Sequence, residues 1–533
     1  VLEISGAELA LVNSNARLGP VGNIALSEGG RFTIRNHGFG DSLGSYDSAQ
    51  VADTTKVTLN TGTLRYDGRR NEGLLSNFWD LPSVETIGDV VLESGANEIR
   101  IQHNMPATGN ASHTQLEVGE FKRASTSRAT LDLTSNADVT GATASLYTYS
   151  ATGKIRLSAA ATTLSGHMIG GITPWATING TDWATTDASN ANYIANFTSY
   201  TTGTQHTGNY MPGPAASETN FGPVTLNSLR LAAWSNGSAT GSHRATLNGA
   251  LTLSSGGILA NGAISGVSTI AGSGTITTAA SRPLYTHAYG NGLQFTGFTS
   301  VIGGIDWVKA GPSPLYYNGP TTSQIGSLYI HQGRFELNNG TLNTGANGQV
   351  YIGDGAGRDE LRILGGTDRL SSRPKVTLHG TPYGRGAEFG AAEDQAILTL
   401  TGGASQGLRE LHIIDRGTID FRNGTVASPN RLFLDLLTFN NSGAQLFVRG
   451  WHEYEDFLLI KKTAYDPDRW SDLLSQVFFD GYSLDYKLLL KDYNADYYEI
   501  TPWGVFPEPS TYGALLAAAG IALVAWRKKR AAR

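Results

Sequence analysis

The sequence predicts an all-β chain, and within that class a right-handed parallel β-helix: a solenoid with a small mixed cap and one C-terminal transmembrane helix. Three observations lead there. Gly supplies 66 of 533 residues, about 12% against a usual ~7%, and charged residues are only 16%. Glycine inside a helix costs about 1 kcal/mol relative to alanine, so this much of it belongs in turns. A short unit then recurs: an alternating strand, a Gly turn, another alternating strand. Finally, the units run through most of the chain at irregular lengths with no obvious linker.

"NIALSEGGRFTI" (23–34), "VTLNTGTLRY" (57–66) and "VVLESGANEIRI" (90–101) are copies of the unit. So are "ATLNGALTLSSGGIL" (245–259), "RFELNNGTLNT" (334–344) and "LHIIDRGTIDFRNGTV" (411–426). Apolar residues at spacing two mark half-buried strands. Asn-Gly, Ser-Gly and Gly-Gly mark the turns. Hairpins or sandwiches would also fit many short strands. A solenoid is preferred because each rung touches only its neighbours, so irregular insertions become loops on one side.

The β-helix body is assigned to 1–445. Within it, 146–220 reads as an irregular Ser/Thr/Asn-rich insertion. There Trp175 and Trp183, each followed by Ala-Thr, are read as packed rings rather than sugar-stacking platforms. Aromatic and charged residues rise over 446–505, which is read as the C-terminal cap covering open strand edges. It holds one short helix, with Asp466 as N-cap, Pro467 at the first helical position, and Trp470, Leu473, Leu474 and Val477 on one face.

Composition excludes several classes. The chain has no Cys, so disulfides, Cys-based zinc sites and thiol nucleophiles are out. Removing the five cations that follow Trp526 takes the net charge from −6 to −11. An acidic body argues against nucleic acid as a partner. There is no H-E-x-x-H helix or Walker loop, and no two of the eleven His sit at ligand spacing.

Two stretches carry candidate chemistry. "DGAGRDELR" (354–362) fits a calcium β-roll repeat, with Asp354 and Asp359 as candidate ligands. One copy supplies too few oxygens, so a solvated turn is the preferred reading, with no metal and no cofactor assigned. Asp415, Arg416 and Asp420, with His412 nearby, would form a polar patch on one face. Paired carboxylates or an Asp–Arg cluster there would suit polysaccharide cleavage, but Asp and Arg are also ordinary turn and rim residues, and no catalytic residue is assigned.

The C-terminus is the most specific feature. Pro507-Glu508-Pro509-Ser510 precedes an apolar run at 511–526 and the cations Arg527, Lys528, Lys529 and Arg530. The run is at or just below the ~17–25 residues that span a bilayer. The cations following it place the end of the chain in the cytoplasm. Proline on each side of Glu508 keeps the motif out of the helix.

This order resembles a PEP-CTERM sorting signal, assigned to 506–533. The resemblance implies an exported bacterial protein handled by an exosortase, anchored transiently in the inner membrane and then placed at the cell surface or in extracellular matrix. It also implies association with extracellular polysaccharide and biofilm. A signal peptide is expected ahead of Val1. In the body, "GGIDWVKAGPSPLYYNG" (303–319) looks like an autotransporter-associated β-strand repeat. Lys309-Ala310-Gly311 keeps that family's turn, while Pro312 and Pro314 depart from its pattern. The expected function is therefore structural or adhesive and non-enzymatic. The alternatives are a polysaccharide lyase or hydrolase, or a carbohydrate-binding protein, on the same scaffold. Converging carboxylates, Arg and aromatics along one face would favour the enzyme.

Overall fold

The computed structural model describes residues 1–12, 16–35, 50–68, 83–103, 114–137, 153–157, 167–187, 191–203, 206–213, 217–235, 240–262, 266–279, 282–319, 321–381, 396–464, 470–482 and 488–502. Among the described residues the chain is nearly all β, and most strand pairs are parallel. Leu2–Ser5 lies on Asn23–Ser27, then Lys56–Asn60, Val90–Ser94 and Phe121–Arg123 follow in one parallel ladder. A second ladder runs through Glu8–Val12, Arg31–Arg35, Thr63–Asp67, Ala96–His103, Thr130–Ala137 and Thr173–Ile178. Ser83–Ile87, Thr114–Val118 and Gly153–Leu157 make a third. Thus the two strands beside each Gly turn pair with neighbouring copies of the unit, not with each other. The hairpin alternative does not hold here.

The register explains the pairing. Ile24, Val57 and Val90 are mutual partners, as are Leu26, Leu59 and Leu92, and all six are buried. Slipping a strand by one residue would turn these side chains to the other face. Burying each such side chain stabilises by roughly 1.5–3 kcal/mol, so the alternation in sequence selects both face and register. The turns repeat with it. Glu28, Thr61 and Gly95 each follow the last residue of their strand in this ladder, and each takes a left-handed conformation, with φ of 51°, 66° and 69°.

A second stack begins near residue 209 and repeats the scheme. Leu251–Asn261, Leu284–Ala288, Ile305–Ala310, Thr322–Ile330, Gln349–Ile352, Lys375–Gly380 and Glu410–Arg422 form one parallel series. Its inward line is Leu284, Trp307, Leu328, Val350, Val376 and Leu411. Lys309 lies beside that line. Its ammonium donates to the carbonyls of Gly311 and Gln332, which gives the Lys-x-Gly turn a physical reason. Burial brings its pKa down to about 7, the charge of Asp359 opposing and that of Arg334 assisting.

Parallel strands continue into the segment read as a cap, through Gln445–Arg449, Asp456–Lys461 and Val477–Phe479. The antiparallel pair Leu488–Asp492 and Tyr497–Pro502 then covers the edge of Asp456–Lys461. The described helix is Trp470–Leu474. Val477 belongs instead to a strand, because it pairs with Leu446; Asp466 and Pro467 lie outside the described residues.

The stretch 146–220 carries regular strands within its described part. Asp182–Thr186 pairs antiparallel with Thr173–Ile178 and with Ile194–Asn196. Trp175 and Trp183 sit on these strands and are both buried, so the packing reading holds.

The two stacks lie side by side. Tyr285 and Val308, from the second stack, are members of the first stack's apolar core. Polar contacts join them too: Arg123 Nη2 donates to Tyr285 Oη at 2.6 Å, and the Arg230 guanidinium meets Asp182 at 2.5 Å. The sorting-type residues Pro507, Glu508, Pro509 and Ser510, the run 511–526, and Arg527, Lys528, Lys529 and Arg530 lie outside the described residues. Among the described residues, no helix is long and apolar enough to cross a membrane.

Candidate functional site

Where the two stacks meet, the column of left-handed turns on the first receives one turn from the second. The incoming turn is Asp354-Gly355-Ala356, the start of the stretch that resembles a calcium repeat. Thr61 Oγ1 donates to the Asp354 carbonyl at 2.7 Å, and the Ala96 N–H donates to Asp354 Oδ2 at 2.6 Å. A Cβ on Gly29 would stand 3.0 Å from that of Ala356. These contacts fit the two turns closely.

The solvated-turn reading is therefore corrected. Asp354 is buried, and so is Asp359. The two do not share a site: Asp354 is held by the first stack, whereas the charge of Asp359 acts on Lys309. Burial pushes the Asp354 carboxyl well above the usual carboxylate range, against the Ala96 N–H bond and the nearby His379.

Around this turn stand Glu28, His379 and Asp415. Each presents one ligand-type atom, and the three atoms lie within 4.8 Å of one another. His379 Nε2 is 3.6 Å from Asp415 Oδ2. Glu28 Oε2 also accepts from the Ser5 hydroxyl. The backbone brings them together by local devices. Glu28 occupies the left-handed position of its turn, at φ 51°. Asp415 is also left-handed, at φ 57°, where the strand Glu410–Arg422 shifts register so that Gly380 faces both Asp415 and Arg416. Two carboxylates and one imidazole at this spacing are chemically able to hold a divalent cation.

The residues grouped as a polar patch are dispersed. Asp415 joins His379. The His412 ring hydrogen-bonds Thr438 Oγ1 at 2.8 Å. Arg416 lies over the Phe447 ring, 4.3 Å from its centroid. Asp420 is buried and pairs with Arg422. Sequence reasoning missed Glu28 and His379, which stand 351 residues apart. No motif joins them; the only local signal was the Glu-Gly-Gly turn at 28–30.

A longer charged ladder crosses another face of the second stack. Its successive rows carry Glu336, Arg362, Thr399 and Asp420, flanked by Arg334, Glu360 and Arg422. Arg362 reaches Glu336 at 3.6 Å and Glu360 at 2.8 Å. Burial alone would raise the Glu360 carboxyl, but the bonds and charge of Arg362, with Thr399 and Arg334, hold it below the ordinary range. Compared with protein-family models, curated proteins and solved structures, the chain matches none.

Proposed function

We propose that the parallel ladders wind as two right-handed β-helical arms, and that the protein is an exported structural or adhesive component of a bacterial surface or extracellular matrix. Right-handed crossovers are the rule for parallel strands in one sheet. The observation that carries the function is the lateral docking of two stacks through buried aromatic and polar contacts. It favours a stiff body whose long faces are used for mechanical or adhesive contact. In this reading the tail, with Pro507, Glu508, Pro509 and Ser510, is the address read by an exosortase, and the inner membrane is a transient station.

The charge ladder favours a second reading. Carboxylates and arginines line one face, with the Tyr316 ring beside Arg334, as a polysaccharide-binding or polysaccharide-cleaving protein would need. The pairing of its carboxylates weighs against cleavage. Glu336, Glu360 and Asp420 each have an Arg partner, and Glu360 is held below the ordinary range, whereas a general acid needs a raised pKa. Binding of an extracellular polysaccharide along this face remains compatible with a matrix role.

Intact-mass analysis of the protein recovered outside its native cell tests the sorting route. A chain ending near Ser510 is expected; one ending at Arg533 overturns that route. Incubating the protein with the organism's own exopolysaccharide tests the rest. No new reducing or unsaturated ends are expected, and steady release of either would replace the structural reading with the enzymatic one.

A further inference from the structure

We propose that Glu28, His379 and Asp415 bind one divalent transition-metal ion, which staples the two strand stacks together. The ligands come from both sides of the junction: Glu28 from the first stack, His379 and Asp415 from the second. A metal bound here touches both stacks at once.

The donor set points to the class of ion. One imidazole nitrogen with two carboxylate oxygens suits zinc, nickel, iron or manganese. Calcium and magnesium prefer oxygen alone. Donors bound to one such ion at about 2.0–2.2 Å lie roughly 3–4 Å apart. The three atoms here already fall within 4.8 Å, so small rotations of side chains close the site. Without an ion, two carboxylates from opposite stacks approach each other, and their mutual repulsion works against docking.

A second feature keeps the space free. Gly355 sits against the cluster, where a Cβ would stand 3.1 Å from Glu28 Cγ and 3.2 Å from His379 Nε2. Any side chain there would fill the cradle in front of the imidazole nitrogen. That nitrogen is 3.6 Å from Asp415 Oδ2, too far for a hydrogen bond. Among the described residues no other group hydrogen-bonds the His379 ring. A half-buried imidazole beside two carboxylates, facing a gap kept by glycine, is arranged as a ligand rather than as a packed core histidine.

The inference is independent of the sorting route and of the adhesive role. Its test uses the full chain, stripped with a chelator and titrated calorimetrically with zinc, manganese, nickel and calcium chlorides. One equivalent of a transition metal is expected to bind, to raise the melting temperature, and to outcompete calcium. His379→Ala and Glu28→Gln should each weaken it by at least about tenfold, the scale on which even outer-sphere partners act. His412→Ala, whose ring bonds Thr438 instead, should bind as the parent does. Glu28→Gln keeps the side-chain volume and an acceptor for Ser5, so it reports even if the alanine variant fails to fold. Absence of stoichiometric binding, or binding unchanged in Glu28→Gln, overturns the proposal. Calcium bound as tightly as zinc overturns it as well.

Discussion

Arg128 reaches across the junction to Asp306, its Nε donating to Oδ2 at 2.9 Å and its Nη2 lying 2.8 Å from the same oxygen. The two residues are 178 positions apart. Asp306 is also tied to its own stack, where Oδ1 accepts the Ser327 N–H at 2.8 Å. Fully exposed ion pairs contribute about 0.2–1 kcal/mol, and hydrogen bonds to charged groups about 1.5–3 kcal/mol. Both side chains here are about a fifth exposed. A double-mutant cycle with Arg128→Ala and Asp306→Ala, read by urea denaturation, should give a coupling of about 1–2 kcal/mol. Coupling near zero would mean that this pair does not help to hold the stacks together.

Trp183 makes a sharper test of the same junction. Its ring is fully buried, edge-on to the His287 ring with centroids 5.4 Å apart. Gly257 lies beneath it, where a Cβ would stand 3.0 Å from two ring carbons. Gly257→Ala should therefore destabilise by about 1–3 kcal/mol through overpacking. Trp183→Phe in the same chain should recover part of that loss by opening space. Thermal melts of the single and double variants decide it, and simple additivity would show that the two residues do not press on each other.

Much of the strand pattern was legible because its causes are local. The alternation around Ile24 and Leu26, and again around Val57 and Leu59, is enough to fix both face and register. The docking of two stacks was less visible. Its mark is burial on both faces of single strands: every residue of Thr173–Ile178 and of Leu284–Ala288 is buried. In sequence those strands read only as mixed apolar and polar runs, with Thr, His and Pro among them. The metal cluster was least legible of all. Of its three residues only Asp415 attracted notice, for an unrelated reason, and the turns that bring Glu28 and His379 to it are set by tertiary contact.

Buried titratable groups along the junction give a pH signature with opposing parts. Asp132 accepts from Thr177 Oγ1 at 2.9 Å and from the Gly180 N–H at 3.2 Å, with Tyr289 and Glu98 nearby. Burial pushes its carboxyl from 3.8 up to about 6. Its stabilising contribution is therefore complete below 3.8 and is lost as the pH rises through 6. His287 and His331 run the other way. Burial lowers them from 6.5 to about 4 and about 3, so their contribution is present above 6.5 and is lost as the pH falls through those values. In the intact protein the opposing slopes partly cancel. Asp132→Asn keeps the acceptor and removes the titration. Stability of the parent relative to this variant should fall between pH 4 and 6, by at most about 1.4 kcal/mol per unit. Denaturation midpoints across that range measure it, and a flat difference would remove Asp132 from the account.

The charge ladder offers a test that separates a structural face from a catalytic one. Arg362 Nε donates to Glu360 Oε1 at 2.8 Å, and Thr399 donates to the same oxygen at 2.8 Å. Arg362→Met keeps length and apolar packing but leaves Glu360 and Glu336 without this cation. Removing one partner from a buried pair costs about 3–5 kcal/mol; Arg334 still faces Glu336 at 3.3 Å, so the lower end is expected. Adding Glu360→Gln should return part of the loss, because the uncompensated charge then disappears. The parent's advantage over Arg362→Met should shrink in acid. Glu360 is held below 4.5 in the folded protein, so its contribution is present above that value and fades as the pH falls through the lowered one. A structural face requires these changes to appear in melting and denaturation alone. Loss of polysaccharide cleavage in Arg362→Met, with the melting temperature unchanged, would instead make the ladder a catalytic groove.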